Sequence, residues 1–188
     1  MNTKLWYRIV ANTVVPLILI ACAASGPVQP HSSPKQFADL SEEESRLWHQ
    51  ANEMDEQIAK RNAIYADTEL TKYLQGIMDG LYPELDGAIR VYVLKSPTLN
   101  AFALPNGSVY FHLGMLARLQ NEAQLATVLA HEGAHFVNRH SLRQMRSVKS
   151  GTAVAQVIKI AGVPLVGDLA VISSMYGYSR DLEREADE

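Results

Sequence analysis

The sequence predicts an α+β domain in which helices surround a small antiparallel sheet. Hydrophobic side chains recur at helical spacing over residues 47–58 and 70–78, and they alternate with the period of a strand over residues 89–94. Helical spacing returns over residues 122–139. Helices, then strands, then helices again is the order of an α+β fold rather than of a repeating βαβ fold. The 188 residues, 47% hydrophobic and 20% charged, suffice for one domain with a short appendage.

Residues 1–21 have the layout of an export signal. A basic start with Lys4 and Arg8 precedes the apolar run of residues 14–20, which is too short to span a bilayer comfortably. Small residues follow the run. The segment is therefore predicted to direct the chain out of the cytoplasm and to be absent from the mature protein.

The end of this signal resembles a bacterial lipobox, Leu19-Ile20-Ala21-Cys22. In such signals the cysteine is lipidated and becomes the first mature residue. Cys22 is the only cysteine, and Ala23 rather than Asp follows it, which favours an outer-membrane lipoprotein facing the periplasm. The alternatives are an uncleaved anchor helix and a plain signal with an incidental cysteine. Residues 22–40, rich in proline and serine, are predicted to be a flexible tether to a domain over residues 41–188.

Capping residues mark the starts of three predicted helices. Glu44 follows Ser41 by three positions and Gln124 follows Asn121 by three, which is the capping-box pattern. Asp67 can cap the helix between these two. Between the second and third helix, residues 101–104 and 108–111 read as short strands joined by the turn sequence Pro105-Asn106-Gly107, and we expect a hairpin there.

The last third of the chain reads as helical pieces punctuated by glycine and proline. Within it, residues 153–175 are quite apolar but are interrupted by Lys159, Pro164 and Asp168. Two short buried helices explain this segment better than a membrane span does. A protein that binds membranes through this segment is an alternative interpretation.

The sequence His131-Glu132-Gly133-Ala134-His135 matches the H-E-x-x-H pattern of zinc peptidases. Residues four apart lie on one helix face, so His131 and His135 can bind one ion. Glu132 is one position round the helix and can act as a general base toward a water at the ion. The surrounding helix is apolar nearly all round, and buried His and Glu without partners would be costly. Gly133 would let another element approach closely.

A catalytic zinc ion needs a third protein ligand. The segment Ser179-Arg180-Asp181-Leu182-Glu183-Arg184-Glu185-Ala186-Asp187 offers candidates, and spacing alone does not choose between Glu183 and Glu185. Asp187 is four residues beyond Glu183, so it shares that helix face and could accept a hydrogen bond from a ligand histidine. The alternative is a solvated, charged helix.

Three sequence blocks together resemble the M48 family of metallopeptidases, in its Oma1-like periplasmic branch. They are Asn100-Ala101-Phe102-Ala103-Leu104-Pro105-Asn106-Gly107, the stretch from Asn121 through the histidine motif to Arg139-His140, and the segment from Ser179 to Asp187. They cover most of residues 68–188. This chain departs from the family at Gly133, where a bulkier apolar residue is common.

The resemblance implies a gluzincin-like zincin fold, one Zn²⁺ per chain, Glu183 as the third ligand and Asp187 as the hydrogen-bond partner of a ligand. It also implies that the strand Asn100, Ala101, Phe102 and Ala103 pins the substrate backbone, although Phe102 could equally be core. His140 belongs to the family-like Arg-His pair and is assigned no specific role; a structural residue is favoured over a ligand. In the resembling enzymes further helices follow the third block, so a C-terminal part is expected to be missing after Glu188.

The sequence therefore predicts a zinc metalloendopeptidase attached to the membrane through Cys22. The resemblance to the family implies that its substrates are unfolded or misassembled envelope proteins. The formal charge of −3 gives no indication of a nucleic-acid partner. The main alternative is a non-catalytic chaperone or assembly factor in which the metal is a structural staple. Glu132 favours catalysis, because a structural site needs no general base.

Overall fold

The computed structural model describes residues 27–85, 87–150 and 178–188. Its helices are α1 (Glu42–Lys60), α2 (Thr68–Leu81), α3 (Leu113–Arg118), α4 (Glu122–Val137), α5 (His140–Ser150) and α6 (Arg180–Asp187), with short 3-10 turns at Pro34–Ala38 and Pro83–Leu85. Three strands, β1 (Arg90–Leu94), β2 (Ala101–Ala103) and β3 (Ser108–His112), form one sheet in the order β1-β3-β2. Among the described residues the fold is thus mainly helical with a small sheet, as the sequence predicts.

The predicted helix starts are confirmed by their capping hydrogen bonds. The side chains of Ser41, Asp67 and Asn121 accept from backbone N–H groups three positions later, at 3.3, 3.0 and 2.9 Å. The capping box at Ser41 is only half made, however. Glu44 turns its carboxylate away from the helix start and into the protein, where it pairs with Arg139.

The prediction of an antiparallel sheet is only partly right, because the sheet is mixed. β2 and β3 form the expected antiparallel hairpin, in which Phe102 lies opposite Tyr110. β1 pairs with β3 in parallel, with Val91 opposite Val109. The loop between β1 and β2 carries the chain across the end of β3, so β3 lies between the other two strands and all five of its residues are buried.

The sheet has a hydrophobic core on each face. Alternate side chains of β1 and β3, such as Val91 and Phe111, pack with α2 and α4, whereas Tyr110 points to the opposite face and packs with α1. Phe102 stacks on Tyr110 with ring centroids 5.2 Å apart and is 4% exposed. The side chain of Phe102 therefore belongs to the core between the sheet and α1.

The two edges of the sheet differ. Residues 63–65 cover the outer edge of β1, since Tyr65 donates to Val93 and Lys95 donates to Ala63 through backbone bonds of 2.8 Å each. Along the outer edge of β2, no strand pairs within the described part of the chain. This edge faces α4, so the outward backbone groups of β2 lie beside the helix of the histidine motif and have no strand as a partner.

Part of the predicted tether packs against the domain. His31 donates its backbone N–H to Val137 at 2.8 Å, and its ring lies 5.0 Å from those of Phe37 and Phe136. Aromatic packing and this backbone bond place residues 31–38 on the domain, so the packed region starts before residue 41. The predicted signal, Cys22 and the apolar segment 153–175 lie outside the described residues. No described helix has the length and apolar character needed to cross a bilayer.

Candidate metal centre

The histidine motif lies in the second half of α4, where the helix passes β2 on one side and α6 on the other. Gly133 allows close contact with a third element. A Cβ atom at Gly133 would lie 2.2 Å from Cε2 of Tyr82, and the Tyr82 hydroxyl donates to the Ala130 carbonyl at 2.6 Å. The predicted close approach at Gly133 is therefore present, and the approaching element is the end of α2.

Helix α6 brings the third sequence block to the two histidines. His131 Nε2 and His135 Nε2 are 3.1 Å apart, and Glu183 Oε2 lies 3.4 Å from the first and 3.9 Å from the second. Glu185 points elsewhere and pairs with Arg143 at 2.7 Å. Of the two candidates that spacing left open, Glu183 is the one whose carboxylate meets both imidazoles.

These three residues fit a zinc ion by both chemistry and spacing. Tetrahedral ligands at about 2.1 Å from zinc are about 3.4 Å from one another, and two imidazole nitrogens with one carboxylate oxygen are a common catalytic set. Burial lowers the pKa of His135 to about 3, and the neighbouring His131 and His140 add to the effect, so its imidazole is neutral as a ligand must be. Glu183 is 43% exposed, so the group is open to solvent on one side.

Both histidines have a partner at Nδ1, which orients Nε2 toward Glu183. His131 Nδ1 is 2.9 Å from Asp187 Oδ1, one helical turn beyond Glu183 on α6. His135 Nδ1 is 2.8 Å from His140 Nδ1, at the start of α5. The ring of His135 also stacks on Tyr178 with centroids 4.0 Å apart. The orientation of each imidazole is thus held by residues outside the group of His131, His135 and Glu183.

Glu132 lies beside this group and next to the free edge of β2. Burial raises the pKa of Glu132 to about 7; the nearby Glu183 adds to the rise, whereas His131 and a hydrogen bond from the Ala103 backbone oppose it. A carboxyl group of this pKa can hold or release a proton near neutral pH.

Alternation along β2 decides which of its backbone groups are free. Leu104 donates to Ser108 and Asn100 accepts from His112, so residues 100, 102 and 104 face β3. The amides of Ala101 and Ala103 consequently face outward, toward α4. Two of the four residues predicted to bind substrate therefore have outward backbone groups, whereas Asn100 and Phe102 are used within the hairpin.

The turn between α4 and α5 is fixed from α1. Arg139 has a positive φ of 54°, which is unusual for a residue with a side chain. Its guanidinium forms two hydrogen bonds with the buried carboxylate of Glu44, and a third, of 3.1 Å, with the Gln29 carbonyl. This pairing holds the turn that places His140 against His135.

Sequence reasoning missed several residues of the site. It gave His140 no contact with a ligand, it did not single out Tyr178, and it assigned Ala103 to substrate without its hydrogen bond to Glu132. His140 lies five residues after His135, and Tyr178 directly precedes the third block, so closeness in sequence to the motifs was the available signal. No sequence signal pointed to Tyr82 as the residue that packs against Gly133.

Similarity to known proteins agrees with this geometry. The family model of peptidase family M48 matches residues 66–188. The chain is 37% identical over 101 residues to the mitochondrial metalloendopeptidase OMA1 of Schizosaccharomyces pombe, covering 52% of this chain and 30% of that protein. It is 26% identical over 137 residues to the beta-barrel assembly-enhancing protease of Escherichia coli, covering 64% and 28%.

The chain thus spans less than a third of the length of these relatives. The family match nevertheless extends over the β2–β3 hairpin, the histidine motif and α6, which are the parts that build the candidate centre. By this match the chain belongs to peptidase family M48.

Proposed function

We propose that this chain is a zinc-dependent metalloendopeptidase, in which His131, His135 and Glu183 bind the metal and Glu132 is the general base. The observation that carries the proposal is the meeting of three metal-binding atoms within 4.8 Å of one another, beside a carboxylate and a free strand edge. Membership in a peptidase family supports it.

Each group has a distinct part in peptide hydrolysis. Zinc, when bound, supplies a Lewis acid that polarises the scissile carbonyl and lowers the pKa of the attacking water. Glu132 accepts the proton of that water and delivers it to the leaving amine. The outward amide of Ala101 holds an extended substrate by a main-chain hydrogen bond, as an added strand would be held, whereas the Ala103 amide is engaged by Glu132.

The proposed setting is the bacterial envelope, where the chain acts on unfolded or misassembled proteins. Support comes from the layout of the first 22 residues and from a relative named a beta-barrel assembly-enhancing protease. Lipidation of Cys22 would hold the domain at the outer membrane on its periplasmic side. Labelled fatty acid retained by a Cys22→Ala variant would refute the lipid attachment.

The proposal is tested by zinc analysis and casein cleavage on wild type and Glu132→Gln. We expect both proteins to bind zinc and only the wild type to cleave, because the amide cannot accept the proton. Glu122→Gln, in the first turn of the same helix, is the control and should cleave normally. Equal cleavage by wild type and Glu132→Gln would refute the assigned base.

The alternative is a non-catalytic chaperone or assembly factor that keeps the metal as a staple. Under this alternative, wild type and Glu132→Gln would bind zinc alike, neither would cleave casein, and both would suppress aggregation of an unfolded protein equally. Burial of Glu132 beside the metal-binding atoms favours the enzyme, since a staple gains nothing from a carboxyl group whose charge is disfavoured there.

A further inference from the structure

The contact between His135 and His140 has no counterpart at the other histidine of the motif, which uses a carboxylate. Both rings are buried, at 3% and 0% exposed, and their Nδ1 atoms are 2.8 Å apart. A hydrogen bond between two imidazole nitrogens requires that one carries a proton and the other offers a lone pair. The contact therefore determines how protons are distributed between the two rings.

The position of His135 Nε2 shows which ring donates. Nε2 lies with His131 Nε2 and Glu183 Oε2 in the metal-binding group, so its lone pair is directed there. The ring proton of His135 must then be on Nδ1, pointing at His140. His140 must accept this bond through an unprotonated Nδ1, which leaves the His140 proton on Nε2.

The surroundings of His140 favour that arrangement. Its Nε2 is buried without a hydrogen-bond partner, but the Glu185 carboxylate lies 3.8 Å away. This distance is too long for a normal hydrogen bond, yet a negative charge there stabilises an N–H that points at it. Arg143 holds Glu185 in place through a bond of 2.7 Å. Glu185, the glutamate that does not meet the two motif histidines, thus faces Nε2 of His140, on the side of the ring away from His135.

We propose that His140 is a positioning residue of the metal centre, whose neutral Nε2–H form accepts the Nδ1–H of His135 and so aligns His135 Nε2 for the metal, with Glu185 favouring that form from behind. This inference rests on the proposed zinc site. It assigns the two metal-binding histidines different supports, Asp187 for His131 and a second imidazole for His135. Loss of such a partner typically weakens metal binding about 10- to 100-fold.

The test compares zinc affinities of the full chain by competition with a chromophoric chelator. His140→Leu removes the acceptor, so zinc should bind about 10- to 100-fold more weakly. His140→Asn presents a carbonyl oxygen near the position of Nδ1 and should recover a substantial part of the loss. His49→Leu, an exposed histidine of α1, is the control and should bind as wild type does.

Two results would overturn the inference: His140→Leu binding zinc as tightly as wild type, or His140→Leu and His140→Asn being equally weak, which would indicate packing alone. Failure of the proposed zinc site has a different signature, because wild type itself would then bind no zinc, and failure of catalysis alone would show as zinc binding without casein cleavage.

A measurement without mutation guards against variants that fail to fold. Nitrogen-15 NMR of the zinc-loaded wild type, with labelled histidine, reports which ring nitrogens carry protons. We expect His140 to carry its proton on Nε2 alone and His135 to carry its proton on Nδ1. A proton on His140 Nδ1 would overturn the inference even if every variant were unstable.

Discussion

At the level of single residues, the candidate centre separates two glutamates that the sequence places two positions apart. Glu183 Oε2 approaches both imidazoles, whereas Glu185 is bound to Arg143. Helical geometry explains the difference, since residues two apart point about 200° apart around the axis and cannot face the same neighbour. Only the packing of α6 against α4 determines which of them faces the histidines.

We expect Glu183→Ala to weaken zinc binding far more than Glu185→Ala. The first removes a ligand atom, and the second removes only a carboxylate 3.8 Å behind His140. Glu185→Ala should lose no more than the roughly 10- to 100-fold that follows loss of an outer partner. Chelator competition on the two variants measures this, and a greater loss in Glu185→Ala would reverse the ligand assignment.

Gly133 is the second residue whose identity the structure explains. Its missing Cβ makes room for the Tyr82 ring, so Gly133→Ala should destabilise the fold by about 1–3 kcal/mol through overpacking. Gly76→Ala in α2 is the matched control, because nothing lies within 4 Å of a Cβ there and alanine should stabilise that helix by about 0.5–1 kcal/mol. Urea unfolding checks both, and a stable Gly133→Ala would contradict the account.

At the level of elements, the two edges of β2 make different contacts. One side pairs with β3, and the other presents the amides of Ala101 and Ala103 beside α4. The side chain of Phe102 packs into the core, which keeps the short strand in place. A three-residue strand can therefore offer a firm edge only because its hairpin and its aromatic side chain hold it.

We expect Ala101→Pro to impair cleavage while zinc affinity stays unchanged. The substitution removes an N–H that faces away from the ladder, where proline is tolerated in an edge strand. Loss of one substrate hydrogen bond corresponds to about a two- to tenfold lower kcat/KM. Casein cleavage and zinc titration on the same preparation separate the effects. Unchanged cleavage would mean that the Ala101 amide does not hold substrate.

At the level of the whole molecule, local signals predicted elements well and long-range contacts poorly. The caps at Ser41, Asp67 and Asn121 and the turn before Ser108 act within a few residues, so the sequence displays them. The parallel pairing of β1 with β3 depends on the path of the loop between β1 and β2, which passes the end of β3, and no local sequence signal specifies that path. Glu44 and Arg139 are 95 positions apart, and capping logic assigned Glu44 to its own helix start instead. Their pairing is set by tertiary packing alone.

The packing of His31 gives the whole fold a predicted sensitivity to acid. Burial, together with Arg139, lowers the pKa of His31 to about 4 from 6.5, while Gln36 opposes the shift. The ring also faces Glu44 of α1 at 3.6 Å and the aromatic rings of Phe37 and Phe136. The folded state therefore keeps His31 neutral at a pH where the unfolded chain binds a proton.

Since the folded pKa lies below the unfolded one, the contribution of neutral His31 is fully present above about pH 6.5. As the pH falls toward 4, the free energy of unfolding should decrease by a total on the order of 3 kcal/mol from this residue. Urea unfolding at several pH values measures this. His31→Phe should flatten the dependence over that interval, while His49→Phe, at an exposed site, should not. Parallel curves for wild type and His31→Phe would rule out the His31 assignment.

The position of α6 has a consequence for how the domain holds together. Glu183 lies 48 positions after His135 (183 − 135 = 48), so an ion shared by the two joins distant parts of the chain into a closed loop. Closing a free loop of that length costs entropy on the order of 3 kcal/mol. An ion bound at this candidate centre would thus be a removable cross-link, and its binding free energy would include the free energy of docking α6. We therefore expect metal binding and docking of α6 to be one coupled equilibrium.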